Sequence, residues 1–293
     1  MTVTSLAARP RTVAAPADVP SPPAPFLRTR RAARGRVTLT RVVNSEWIKF
    51  RSVRSTVLTL LATVGAVVAL GLLFSGVHSG VIGAQTIGLQ PGSGAGPVDV
   101  ALGGVNLGQL IIGVLGVTLV TGEYATGMMR PTLAAVPRRL AVLWGKAIVF
   151  GGIVTVAMLV ATFTAFLGGQ ALIGTAGASL AGSGVLRAVI GAAIYLTGVG
   201  LIGLAAGAIL RRNAAAIGVL FTVVLVIPGL FPLLPQSWND TVGPYLPSNA
   251  GTAFMTAAHV SGSLAPWAGL AVFAGYVTAA LAVAAILLKR RDA

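Results

Sequence analysis

Six stretches of this sequence contain no Asp, Glu, Lys, Arg or His: residues 57–77, 101–121, 147–167, 188–210, 214–234 and 267–288. Each is 21 to 23 residues long, and a hydrocarbon core of ~30 Å takes about 20 helical residues to cross. None alternates with period two, which excludes a β-barrel. The runs therefore predict an all-α, polytopic membrane protein with six transmembrane helices. Composition points the same way. Of 293 residues, 55% are hydrophobic and 9% charged, against about 25% charged in a soluble domain; a water-facing surface cannot be covered with so few charges. The fifth run holds Pro228-Gly229 and Pro232, which predict a kink or an early end.

Orientation follows from the basic residues. With the N-terminus inside, 20 of the 21 Lys and Arg fall on the cytoplasmic side and only Arg187 on the other. The segments 78–100, 168–183 and 235–266 contain neither Lys nor Arg. Inverting the chain would reverse this bias, so the positive-inside rule places both termini in the cytoplasm; the expected location is the cell (plasma) membrane, as a multi-pass protein. Trp47, Trp144, Trp238 and Trp267 all fall at the expected membrane interfaces.

Two organisational units are expected: a disordered basic Pro/Ala/Arg tail over 1–36, and a six-helix transmembrane domain over 37–293. The tail lacks the interleaved aromatics of a nucleic-acid arm and suits attraction to anionic headgroups, so the lipid bilayer is an expected partner and nucleic acid is not. At 40–55, TRVVNSEWIKFRSVRS reads as an N-terminal interfacial amphipathic helix, with Val43, Trp47 and Phe50 on its apolar face.

The segment 119–147 carries the most local information. Gly122 is expected to break the second span, with Thr121 capping a new short helix whose first turn contains Glu123, where a carboxylate meets the positive end of the dipole. That helix is expected to stop near Arg130, because Pro131 disfavours α geometry in the residue before it. Pro137 would end a further turn. A short, broken helix on the inner face is suited to passing force to a cytoplasmic partner.

The order Glu123, Gly127, Leu133, Pro137, Arg138 or Arg139, then Lys146 resembles the cytoplasmic loop of ABC-2 type transporter permeases. RVVNSEWIKFRSVRST (41–56), YLPSNAG (245–251) and LLKRRDA (287–293) are similar to the actinobacterial branch of that family. The resemblance covers roughly residues 41–293. It implies a permease subunit of an ATP-binding cassette exporter, working as a homodimer or with a related permease and bound to separate ABC-type ATPase subunits. Glu123, Tyr124, Gly127, Arg130, Pro137 and Arg138 would form the ATPase-coupling loop, and Arg211 and Arg212 a second cytoplasmic contact.

No phosphate-binding loop occurs in the chain: Gly145-Lys146 is followed by Ala147. ATP and magnesium are thus expected at the partner, with no cofactor on this chain, no catalytic residue and no enzyme activity. There is no Cys, and His78, His259, Asp99 and Asp240 have no metal-ligand spacing, so no metal is expected. Asn106, Gln109, Tyr195 and Tyr276 lie within spans and are candidates for a substrate path, the alternatives being interhelical hydrogen bonds for the two amides and ordinary packing for the two tyrosines. Gly104, Gly108, Gly203 and Gly207 are spaced for close helix approach. Around 244–258 a short helix capped by Ser248 is expected to dip into the outer leaflet. An ATP-independent carrier usually needs an ionisable group near mid-membrane, which none of the six runs supplies; a membrane scaffold is the other alternative.

Overall fold

A computed structural model describes residues 38–83, 96–129, 139–258 and 262–290; the tail expected over 1–36 lies outside them. No strand occurs among the described residues. Helix α1 (Leu39–Ser52) meets α2 (Arg54–His78) at an extended Val53. The second span combines α3 (Pro97–Ala101) with α4 (Val105–Ala125). The third and fourth are α5 (Arg139–Ile173) and α6 (Val185–Leu210). The fifth comprises α7 (Asn213–Phe221), a π-helical turn (Thr222–Val226), α8 (Ile227–Leu230) and a 3-10 turn. Two short helices, α9 (Gln236–Thr241) and α10 (Pro247–Met255), precede α11 (Pro266–Arg290).

Six helices are long and apolar enough to cross a bilayer. Leu58, Leu61, Val156, Val160, Leu233 and Ile286 are exposed on the bundle, as lipid permits and water does not. The chain is a multi-pass helical membrane protein. Its second and fourth spans form the centre, with 67% and 78% of their most apolar stretches buried, against 17% for the fifth and sixth.

Small residues set the central contact between α4 and α6. A Cβ on Gly203 would strike the carbonyl of Gly113, and one on Gly116 the carbonyl of Gly200. Gly207 approaches Val117, while Gly104 and Gly108 approach Val67 of α2. The spacing noted in the sequence therefore marks real close approaches, although the two glycine pairs face different neighbours. Thr155 of α5 and Thr197 of α6 add a hydroxyl contact of 3.2 Å.

The third span extends well beyond its uncharged run, over Leu140–Ala176. Counting uncharged residues stops at Lys146, but the helix continues through it because that ammonium is paired. At the far end, Gln170 donates to the Pro97 carbonyl at 3.0 Å and accepts from the Ala178 amide at 2.6 Å. The expected break in the fifth span is a π-turn. A proline at 228 cannot donate to residue 224 and its ring crowds that carbonyl; the wider turn over Thr222–Val226 relieves the clash without ending the helix.

Three local expectations are corrected. Helix α4 runs straight through Gly122, and Thr121 is no cap: its hydroxyl donates to the Val117 carbonyl one turn back, at 3.0 Å. Ser248 is not the cap of the short outer helix either; Leu246 holds that position and Pro247 opens α10. The face that α1 turns to the bundle is Val42, Glu46 and Phe50, whereas Trp47 is exposed and Val43 half-buried.

Candidate functional site

The chain has only two glutamates and three lysines. Both glutamates and two of the lysines meet at one end of the bundle, where α1, the end of α4 and the start of α5 converge. Lys146 Nζ lies 2.7 Å from Glu46 Oε2 and 3.0 Å from Glu123 Oε1. Lys49 Nζ lies 2.8 Å from Glu46 Oε1 and 3.4 Å from Glu123 Oε1. The four charges alternate around a closed ring with no net charge. Glu46 and Lys146 are each 4% exposed, deep enough that a charge on either needs an opposite charge beside it.

Each member is placed by its helix. Glu46 and Lys49 are i, i+3 neighbours on α1. Glu123 sits in the last turn of α4 rather than in the first turn of a new helix, so it faces the negative end of the dipole. That placement is unfavourable by itself and is offset by two ammonium groups from other helices. Gly127, at φ +70, supplies the left-handed residue that ends α4: the Thr126 amide bonds Gly122 and the Gly127 amide bonds Tyr124. Phe50 and Phe150, with ring centroids 6.5 Å apart, pack beneath the ring of charges.

A cavity of about 430 Å³ opens beside the ring, lined in part by Ser52, Ser55, Thr118, Glu123, Thr126 and Lys146. Oε2 of Glu123 is buried without a hydrogen-bond partner among the described residues. The turn joining α6 to α7 contacts the end of α4. Arg211 adopts a left-handed conformation, φ 55, and its guanidinium lies 5.2 Å from the Tyr124 ring centroid. Asn213 accepts from the Thr121 hydroxyl at 3.2 Å. Arg212 stands exposed beside them.

Thus Glu123, Tyr124, Gly127 and Arg211, singled out from sequence, come together at one end of the bundle. Arg130, Pro137 and Arg138 lie outside the described residues. Glu46, Lys49 and Lys146 were missed as site members. The scarcity of Glu and Lys was the available signal, but a contact across 100 residues leaves no trace in a single sequence.

Of the four candidate path residues, Gln109 and Tyr195 bond to each other. The Tyr195 hydroxyl donates to Gln109 Oε1, both are buried, and Tyr195 packs against Phe273 with centroids 5.2 Å apart. Asn106 is exposed, and the Tyr276 hydroxyl donates to the Tyr245 carbonyl at 3.1 Å. Arg187, the one basic residue expected at the opposite end, donates to the carbonyls of Phe254, Thr256 and Ala257 at 3.0–3.3 Å. It caps the C-terminus of α10, where orphan carbonyls favour a cation.

Burial pushes the Glu46 carboxyl upward, but Lys146 and Lys49 outweigh burial and hold it below the ordinary range. Burial pushes Lys49 down, and its hydrogen bond to Glu46 with the field of Glu123 more than reverses this. A depressed carboxylate contributes stability above its unfolded pKa of about 4.3 and loses it as pH falls through the folded value. A raised lysine contributes fully below about 10.4 and loses its share as pH rises through the folded value. The hold of α1 on the bundle is therefore expected to weaken below about pH 4 and to persist to strongly alkaline pH. Spin labels at Thr40 and Ile148 report this as a distance distribution that broadens only in acid; equal broadening at pH 6 would contradict it.

Neither protein-family models nor curated proteins match this chain.

Proposed function

We propose that the chain is the membrane-spanning permease subunit of an ATP-binding cassette exporter, coupled at its basic end to separate ATPase subunits. The observation that carries this reading is the alternating ring of Glu46, Lys49, Glu123 and Lys146. It joins α1, the second span and the third span, and the Arg211–Tyr124 and Asn213–Thr121 contacts add the turn after the fourth. A push delivered there by a cytoplasmic partner moves four elements together, as rigid-body rocking between inward- and outward-facing states requires.

The motif order resembling ABC-2 permeases supports the same assignment, and the bias of basic residues supports a cytoplasmic location of that end in the cell membrane. Exposed Trp47 and Ile48 on α1 suit a helix lying in the inner membrane interface. In this reading Glu123 and Tyr124 form the inner edge of the coupling contact, Arg130, Pro137 and Arg138 continue it, and Arg211 and Arg212 flank it. ATP and magnesium belong to the partner, and a second copy or a related permease completes the path.

The test is co-purification of the tagged chain from its native membrane in mild detergent. A stoichiometric ABC-type ATPase is expected. In the recovered complex, Glu123→Ala is expected to leave membrane insertion intact and to cut the permease's effect on ATP hydrolysis by roughly 5-fold to 150-fold, the range of typical coupling energies. Repeated recovery of intact protein without any ATPase would shift the assignment to a scaffold or an ATP-independent carrier.

A further inference from the structure

A groove of about 910 Å³ runs along the outside of the bundle between α1 and α5. Its two walls differ in character. The α1 wall carries Thr40, Arg41 and Asn44, whereas the α5 wall carries Ile148, Ile153 and Val156. Trp47 stands on the α1 wall, 48% exposed, and an indole is favoured where headgroups meet acyl chains. Gly152 forms part of the floor: a Cβ there would meet nothing within 4 Å.

Dimensions and charge select the occupant. From Ile148 to Ala157 the groove follows α5 for about 14 Å at 1.5 Å per residue, close to half of a ~30 Å hydrocarbon core. That length matches one leaflet. Arg41 makes no ion pair among the described residues, in contrast to Lys49 and Lys146 nearby. The hydroxyl of Thr40 and the amide of Asn44 lie beside it. A cation with neutral hydrogen-bonding groups on one wall, and an apolar face about one leaflet long on the other, match an amphiphile with an anionic head. We infer that this groove is a binding site for one anionic phospholipid, its phosphate at Arg41 and one acyl chain over Gly152.

The site pins α1 against α5 from outside, as the charged ring does from inside. Lipid composition thereby acts on the same helix that carries Glu46 and Lys49. The inference requires only a membrane-embedded chain and stands apart from the transport assignment.

Native mass spectrometry of the full chain, exchanged into equal amounts of phosphatidylglycerol and phosphatidylcholine, tests it. Wild type is expected to retain one phosphatidylglycerol, with a preference of roughly fivefold, the contribution of one basic residue near a membrane surface. Arg41→Gln is expected to abolish the preference, and Gly152→Leu to abolish retention of either lipid. Arg54→Gln, a change at an exposed arginine outside the groove, is expected to leave both unchanged. Equal losses in Arg54→Gln and Arg41→Gln would reduce the effect to general attraction and overturn the site. Cysteine cross-links joining two chains through position 152, with no lipid retained, would overturn it in favour of a second copy as the occupant.

Discussion

Replacing Lys146 by alanine is expected to destabilise the bundle by about 3–5 kcal/mol, the usual result of removing one partner from a buried ion pair. The carboxylate of Glu46 is 4% exposed and receives its shortest contact, 2.7 Å, from this ammonium. Without it, Glu46 retains only Lys49, which is 36% exposed and pulled toward water. The remaining pair cannot supply what desolvation of the carboxylate costs, so Glu46 takes up a proton or α1 leaves the bundle. Either response is visible: thermal unfolding in detergent shifts down, and protease cuts near residue 53 appear at lower enzyme concentration.

The same argument predicts a rescue. Changing both partners together, Glu46→Gln with Lys146→Met, removes the buried charges along with their attraction. Buried pairs replaced by apolar groups of similar size are often neutral for stability. The double variant is therefore expected to recover most of the loss in Lys146→Ala. A single variant as stable as wild type would mean that the charges are hydrated and that the ring does not hold α1. Recovery of stability without recovery of coupling to a partner ATPase would separate the structural part of the ring from its role in force transfer.

The second large effect belongs to the seam between α4 and α6. Gly203→Leu is expected to cost about 1–3 kcal/mol or more, because the atom it meets is the backbone carbonyl of Gly113 and backbone cannot swing aside as a side chain does. The helices must separate, and hydrocarbon tails offer no hydrophobic penalty to drive them back together. Gly218→Leu is the control, since nothing lies within 4 Å of its added Cβ, and a change within about 0.5 kcal/mol is expected there. The chain contains no Cys, so cysteines introduced on the two helices report the separation as lost cross-linking. Equal behaviour of the two variants would show that α4 and α6 are not in close contact in the membrane.

The number of spans, their order and their approximate limits were legible because a bilayer imposes one strong requirement, about 20 apolar residues per crossing. That requirement acts on each segment alone and needs no knowledge of neighbours. The kink near Pro228 was legible for a similar reason, since proline acts on its own helix. The form it takes, a π-turn over Thr222–Val226, depends on how the fifth span packs. Gly122 misled because a glycine's low helix propensity, about 1 kcal/mol against alanine, is easily overridden by packing; Gly127 ends α4 because its positive φ is required there.

Relations between helices were decided by the tertiary structure. Nothing in the periodicity of α1 reveals that Glu46 lies on its buried face, because an isolated reading assigns a carboxylate to water. Only the arrival of Lys146 from 100 residues away makes that burial tolerable. Gln109 and Tyr195 read either as substrate contacts or as interhelical partners, and only the meeting of their helices shows that they satisfy one another. The sequence determined which segments leave water, a property of each segment's own transfer free energy. Which polar groups then find partners was a matter of three-dimensional proximity, and that is where the charged ring, the groove between α1 and α5 and the pairing of Gln109 with Tyr195 were decided.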